Sequence, residues 1–288
     1  MTKISVIIPC YNSGEVIKHA IDSIFEQTYK DFEIIVVNDG SDDSETIQIL
    51  ENLSNDIKVI NQSNKGLSAA RNTGAQNAKG KYILPLDCDD YLSPNFLEKM
   101  IDKIKVSENL AYVFSDIKMF GEKKGILNRE YNYFVQLFTN QLPYCLLMDK
   151  KLWREVGGYD EKMKLGYEDW EFNIRLGKNG YYGLRVNEPL FNYRVSSQGM
   201  MKSKSDKNYI AILRQIRSKH KDLYSLSSLY HTWSKWRNKT SPYPIIFYII
   251  MYLATKYLPG NIYNIFYKRL SFLKQSERIS VKNNKLFL

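Results

Sequence analysis

Tyr82-Ile83-Leu84-Pro85-Leu86-Asp87-Cys88-Asp89-Asp90 is an apolar run that breaks off into three carboxylates within four residues. A short apolar run reads as a buried strand, and a strand ending in carboxylates sets them at the C-terminal edge of a sheet. That edge is where α/β proteins bind ligands and where oxygen donors can hold a divalent cation. An Asp-rich turn after a strand is more often only solvated, so the stretch gains its meaning from its surroundings.

Upstream, Ile4–Ile8, Glu33–Val37 and Ile57–Ile60 have the same strand character and alternate with helix-period segments. In Gly14–Tyr29 the residues Val16, Ile17, Ala20, Ile21, Ile24 and Phe25 recur at helical spacing, leaving Lys18, Asp22 and Glu26 outward. Ser44–Leu53 and Leu67–Lys79 read as further crossovers, the first capped by Asp42 or Ser44 and the second stopped by Gly80. Alternation of this kind predicts an α/β fold with a mainly parallel sheet. In such a sheet the strand ends share one edge. Pro9-Cys10-Tyr11-Asn12, Asn38-Asp39-Gly40-Ser41-Asp42-Asp43-Ser44, Lys65-Gly66-Leu67-Ser68-Ala69-Ala70-Arg71-Asn72 and the acidic tetrad therefore converge on one crevice.

A chain of 288 residues with 44% hydrophobic content can bury one large core, or one core plus an appendage. Three scattered cysteines without CxxC spacing suggest neither a disulfide framework nor a zinc knuckle, and a reducing cytoplasm is the expected home. The N-terminus opens straight into strand-like sequence, with no signal-peptide pattern. Charge is uneven: residues 1–201 carry 24 Lys and Arg against 28 Asp and Glu, whereas residues 202–288 carry 17 against 3. The C-terminal part therefore suits an anionic partner.

Beyond residue 110 the pattern predicts a strand at Ala111–Phe114, a hairpin near Gly121–Gly125, an aromatic stretch Tyr131–Phe138, and helices at Lys150–Val156 and Asp169–Lys178. We expect a domain over 1–202, with a first half at 1–100 that carries the convergent strand ends and a second half at 101–202. A basic, Tyr-rich helical extension is expected over 203–288. Within it the uninterrupted apolar run Pro244–Ala254 falls short of the roughly 17–25 residues of a spanning helix. It reads either as a helix packed on the domain or as an interfacial helix. In the second case Tyr248, Tyr252 and Tyr257 lie at headgroup depth, with Lys235, Arg237, Lys239, Lys268 and Arg269 facing anionic lipid. The extension has no recognisable nucleic-acid reader motif, so nucleic acid is not an expected partner.

The convergent groups are an aromatic ring, an isolated carboxylate, an Arg with a Lys, and a carboxylate cluster. These suit a nucleoside diphosphate, needing a flat contact for the base, an acceptor for an imide N–H, cations for phosphate and a bridging metal. Each also has an ordinary explanation: Tyr11 as a strand-end aromatic, Asp39 as part of a turn, Arg71 as a surface ion pair, and Leu67, Ala70 and Gly74 as packing residues. Asp39, ahead of the capping residues, is expected to stay free for a ligand. Their joint occurrence in this order favours the site.

Ile-Ile-Pro-Cys-Tyr-Asn, Val-Val-Asn-Asp-Gly-Ser-Asp-Asp, Gly-Leu-Ser-Ala-Ala-Arg-Asn and Leu-Asp-Cys-Asp-Asp together resemble the family 2 inverting glycosyltransferases of GT-A fold, over roughly residues 3–200. The resemblance implies transfer of a sugar from a nucleotide-sugar donor, usually a UDP-sugar, with Mn²⁺ or Mg²⁺ on the diphosphate. It places Pro9, Tyr11, Asn12, Asp39, Lys65, Arg71, Asp87 and Cys88 around the donor: Tyr11 and Asp39 at the base, Arg71 near base or phosphates, Asp87 at ribose and sugar. Asp89 is the implied metal ligand. The family's base lies in a Glu-Asp pair near the start of a helix. Gly166-Tyr167-Glu168-Asp169-Trp170-Glu171 matches, which makes Asp169 the expected general base and puts Glu168 and Trp170 on the acceptor side, with Trp170 as a stacking face. A helix N-terminus is expected to lower the pKa of Asp169. Many members carry Tyr-Arg-x-His further on as a metal ligand. Here the segment is Tyr193-Arg194-Val195-Ser196, and the only histidines are His19, His220 and His231, none of them nearby.

Two other readings compete. A sugar-phosphate nucleotidylyltransferase would need a Gly-rich, Arg-containing loop after the first strand, which Pro9-Cys10-Tyr11-Asn12-Ser13-Gly14 lacks. A non-catalytic nucleotide-sugar-binding protein at a membrane surface would not need the intact Asp39, Asp87, Asp89 and Asp169. The expected acceptor is a glycan, in the sharper reading polyprenyl-linked, in cell-surface polysaccharide synthesis. That places the chain in the cytoplasm or on the inner face of the membrane.

Overall fold

Strands form where β-branched runs can be covered on both sides, and the first strand is buried at all seven positions. The computed structural model describes residues 3–106, 112–128, 130–197, 208–237 and 244–257. In chain order the elements are β1 (Ile4–Cys10), α1 (Gly14–Phe25), β2 (Phe32–Asp39), α2 (Ser44–Glu51), β3 (Ile57–Gln62), α3 (Leu67–Asn77), β4 (Tyr82–Pro85), β5 (Tyr91–Leu92) and α4 (Phe96–Lys105). There follow β6 (Tyr112–Gly121), β7 (Gly125–Leu127), α5 (Tyr133–Gln136), β8 (Leu147–Asp149), α6 (Lys150–Glu155), α7 (Glu168–Lys178) and β9 (Gly183–Val195). Three helices close the described chain: α8 (Tyr209–Lys219), α9 (Leu226–Trp236) and α10 (Ile245–Tyr257).

The described residues form a nine-stranded sheet ordered β3-β2-β1-β4-β8-β6-β9-β5, with β7 paired to β6. Strands β1 to β4 are mutually parallel, as are β6 and β9, while β8, β5 and β7 run antiparallel to their neighbours. This is the mixed, mainly parallel α/β sheet expected. Because side chains alternate along a strand, Ile4, Val6 and Ile8 enter one core with Ile34 and Val36, whereas Ile7, Ile35 and Val37 enter the other. The first core takes α1 and α4; the second takes α3 and α5 to α10. Gly74 is indeed a packing residue, since a Cβ there would meet Ile7 Cγ2 at 2.3 Å.

Several local expectations are corrected. Helix α2 is capped by Asp43, whose carboxylate accepts from Thr46 N–H at 2.7 Å, and not by Asp42 or Ser44. Helix α3 ends at Asn77 because Ala78 turns extended, so Gly80 is not its stop. Gly80 is instead held against β1, donating its N–H to Ser5 Oγ at 2.9 Å where a Cβ would strike Lys3 O at 2.6 Å. Helix α1 stops at Phe25, four residues early, and Thr28 N–H pairs with Pro94 O.

Helices α8 to α10 share one core with the second half of the sheet domain: Ile212, Leu213, Ile216, Leu229 and Tyr248 lie with Phe134, Trp170 and Phe172. Tyr209 stacks on Trp170 at 6.0 Å, and Trp236 packs edge-on to Tyr131 and Tyr182. Tyr248 is 2% exposed between Phe134 and Phe138, which corrects its expected place at headgroup depth. The expected domain boundary at 202/203, together with Lys239, Lys268 and Arg269, lies outside the described residues. Among those residues no helix is long and apolar enough to cross a membrane.

Candidate active site

The register of β1 to β4 brings the four sequence motifs to one edge. Cys10 pairs with Asn38, Asp39 with Gln62, and Ile7 with Pro85, so the loops after all four strands open on the same side. Tyr11 is half-exposed at the end of β1, while Pro9 is buried within the strand. Asn12, in the left-handed region at φ 47°, clamps two of the loops. Its side-chain Nδ2 donates to Asp42 Oδ1 at 2.6 Å, its backbone N–H donates to Ser41 Oγ at 3.0 Å, and its side-chain Oδ1 accepts from Asp42 N–H at 3.0 Å.

Asp39 is not left free, as the sequence led us to expect. It is 4% exposed; Oδ1 accepts from Gln62 Nε2 at 2.7 Å and Lys65 N–H at 2.8 Å, and Oδ2 accepts from Gly66 N–H at 2.7 Å. Its carboxylate thus fixes the loop entering α3, where Gly66 needs φ +94°. A carboxylate offers about four acceptor positions, so one remains for a ligand N–H. Lys65 contributes its carbonyl oxygen to Lys164 Nζ, tying this loop to the chain that leads into α7.

Arg71 is the hinge of the arrangement. It is no surface ion pair: it is 1% exposed, Nη2 donates to Asp87 Oδ1 at 2.7 Å, and Nη1 donates to Glu168 Oε1 at 2.6 Å. The rings of Tyr144 and Tyr159 flank its guanidinium at 4.7 and 5.5 Å. One side chain therefore couples the acidic tetrad after β4 to the carboxylate pair at the start of α7. A planar guanidinium suits this, since its fork reaches two carboxylates at once.

In the tetrad the three carboxylates play different parts. Asp90 is 1% exposed, accepting from Tyr144 Oη at 2.5 Å and from Arg194 N–H at 2.7 Å, and burial pushes its carboxyl well above the usual range. It holds the turn together. Asp87 is partly exposed and donates its N–H to Tyr144 Oη at 2.9 Å. Burial and the neighbouring Asp87 carboxylate push Asp89 up to about 6, and burial keeps the Cys88 thiol protonated. Two crowded carboxylates of this kind suit a divalent cation with hard oxygen donors. Among the described residues, no group of three or more His, Cys, Asp and Glu is placed to hold a metal by itself. Asp87 and Asp89 could supply one or two oxygen donors to such a cation, and the remaining donors would have to come from a ligand or water.

Helix α7 opens after Tyr167, which takes φ 58°. Glu168 is buried on Arg71, whereas Asp169 is partly exposed. Asp169 Oδ2 accepts from Asn140 Nδ2 at 2.8 Å, and Oδ1 accepts from Trp170 N–H at 2.8 Å. The helix N-terminus does not depress this carboxyl as expected. Burial, reinforced by Glu168, outweighs Arg71 and Asn140 and raises it to about 7. Trp170 cannot be a stacking face for a sugar: it is 0% exposed and its indole N–H donates to Gln136 O at 2.7 Å. Ser196 follows β9, two residues after the Arg194 N–H that bonds Asp90, so the chain position is close to the tetrad although the residue is a poor metal ligand.

Asn140 and Tyr144 were not anticipated. They lie in a loop between α5 and β8 without motif or periodicity, and their partners are 29 and 54 residues away. No sequence signal of this chain marks them.

A family model described as Glycosyl transferase family 2 matches residues 5–170. The chain is 32% identical over 213 residues to glycosyltransferase GlyA of Streptococcus pneumoniae, a match covering 67% of this chain and 30% of that protein. It is 26% identical to chondroitin synthase of Escherichia coli, over 82% of this chain and 37% of that one. An uncharacterized glycosyltransferase of Methanocaldococcus jannaschii is 29% identical and matched over 91% of both chains. The chain thus spans about a third of the length of the first two relatives. Among solved structures, Staphylococcus aureus TarS residues 1–349 in complex with UDP-GlcNAc superposes with a TM-score of 0.64 at 22% identity, over 80% of this chain and 69% of that one. That likeness confirms the fold.

Proposed function

The chain belongs to glycosyl transferase family 2, and from that premise we propose that it transfers a sugar from a UDP-sugar to a glycan hydroxyl with inversion. The observation that carries the reading is Arg71, which joins Asp87 of the tetrad to Glu168 beside the candidate base. Donor-side and acceptor-side carboxylates are thereby held in one rigid constellation, as a reaction between two bound substrates requires.

In this reading the acceptor hydroxyl gives its proton to Asp169 as its oxygen attacks the anomeric carbon. The bond from that carbon to the diphosphate breaks on the opposite face, and the electron pair leaves on the phosphate oxygen. A carboxyl near 7 is well matched to a general base at neutral pH. Asn140 orients the carboxylate, and Trp170 fixes the helix that carries it. Tyr11, the remaining acceptor position of Asp39, and Lys65 line the donor side, with Asn12 holding their loops. Asp89, helped by Asp87, would hold Mg²⁺ or Mn²⁺, which supplies charge stabilisation to the departing diphosphate.

The UDP-GlcNAc complex of TarS supports a UDP-sugar donor, and the chondroitin synthase relative supports a polysaccharide acceptor. We place that acceptor on a polyprenyl carrier at the inner face of the membrane, in keeping with the basic C-terminal part. The test is a panel of UDP-, GDP- and dTDP-sugars, with released nucleotide measured with Mn²⁺, with Mg²⁺ and with chelator. Metal-dependent release from a UDP-sugar is expected. Release from none of the panel, or synthesis of a nucleotide-sugar from sugar phosphate and nucleoside triphosphate, contradicts it.

A further inference from the structure

Helix α10 is apolar all round, yet only one of its faces is covered. Tyr248, Met251, Ala254 and Thr255 sit in the core, where Tyr248 meets Phe134 and Phe138 at 5.1 and 5.0 Å. Thr255 satisfies its own hydroxyl on Met251 O, and Arg214 Nε donates to Thr255 O, so this face is seated by specific bonds. On the opposite side Ile246, Ile250, Leu253 and Tyr257 are 58%, 47%, 42% and 69% exposed. Their spacing of four, three and four residues draws one stripe along the helix. A contiguous apolar stripe of this kind marks a surface for a partner.

We propose that this stripe is the surface by which the protein lies on an anionic lipid bilayer, with α10 parallel to the membrane plane and the sugar-transfer site held at the interface. The inference deepens the lipid-linked acceptor reading and rests on it for its purpose. Two observations select lipid over other occupants. Residues 202–288 carry 17 Lys and Arg against 3 Asp and Glu, so a second copy would set like charge against like, and so would this chain's own residues 258–288. Lys256, beside the stripe, lies 5.2 Å from the Tyr257 ring, a pairing suited to headgroup depth. The 13 described residues of α10 are too few to span, so the proposed contact is lateral.

The full chain and its Ile250→Gln, Leu253→Gln double variant are to be sedimented with vesicles of phosphatidylcholine alone and of phosphatidylcholine with phosphatidylglycerol, at low and high salt. The wild type is expected to bind the phosphatidylglycerol vesicles, less so at high salt, and the double variant to bind about tenfold less with an unchanged melting temperature. Absence of wild-type binding, equal binding to both vesicles, or wild-type-like binding of the variant overturns the proposal. So does a wild-type dimer that the variant dissolves, which makes the stripe an interface between copies. A large drop in the variant's melting temperature with binding intact also overturns it, because the chain then covers the stripe itself. Nucleotide release is read in parallel. Loss of release with vesicle binding retained removes the sugar-transfer reading and leaves the surface standing.

Discussion

The side-chain amide of Asn140 donates to Asp169 Oδ2 over 2.8 Å, from a loop that carries none of the recognisable motifs. A donor to the charged form lowers a carboxyl's pKa, and here it works with Arg71 against burial and Glu168, which together raise Asp169 to about 7. Asn140→Ala removes one of the three lowering influences, leaving Arg71 and the Trp170 N–H. The acidic limb of the pH–rate profile then moves to higher pH, turnover below pH 7 falls by up to about tenfold, and turnover at high pH is retained. A pH profile of both proteins checks this, since a loss through misfolding would be equal at every pH.

Arg71 offsets two carboxylates inside the protein, and its removal leaves Glu168 buried without a counter-charge. Arg71→Met should cost about 3–5 kcal/mol of stability in a denaturant titration. Arg71→Lys should fall between, because an ammonium cannot reach both partners with a fork.

Glu171 ties α7 to the C-terminal helices: it is fully buried, with Lys219 Nζ at 2.7 Å, His220 Nε2 at 2.9 Å and Arg175 Nη2 at 2.9 Å. Burial alone would raise its carboxyl, but the His220 hydrogen bond and the charges of Arg175 and Lys219 prevail and lower it to about 2. A depressed folded-state pKa means stability that is full above the ordinary value of 4.5 and is lost as pH falls from there toward 2. Denaturant midpoints measured from pH 7 down to pH 2 should show that decline. Glu171→Gln should lower stability at pH 7 and flatten the decline.

Trp170 is a structural residue of the helix that carries Asp169. Trp170→Phe removes the indole bond to Gln136 O and should cost about 1–3 kcal/mol in thermal or chemical melting. The KM values for donor and acceptor should stay near those of the wild type. A rise in acceptor KM at unchanged stability would restore the sugar-stacking role.

The parallel half of the sheet was legible because its information is local: β1 to β4 are short apolar runs, and each is followed at once by its loop motif. The same locality explains what was missed. Arg71 and Glu168 are 97 residues apart, and nothing in a helical pattern tells whether an Arg faces water or a buried carboxylate. Trp170 read as a ligand face from its place beside Asp169, whereas α8 packs Tyr209 over it, a contact made by chain beyond the motif region. Asp39 read as unused because its three donors come from β3 and the loop after it. Asn140 and Tyr144 act only through geometry that forms when β8 joins β4.

In the proposed reaction Asp169 takes the acceptor proton. The most direct measurement is the transfer rate of Asp169→Asn with the UDP-sugar selected by the nucleotide-release panel, alongside calorimetric binding of that donor. Loss of turnover by about 10²- to 10⁴-fold with donor affinity retained is the predicted result. Turnover within a few-fold of wild type, with the donor bound equally well, would contradict it.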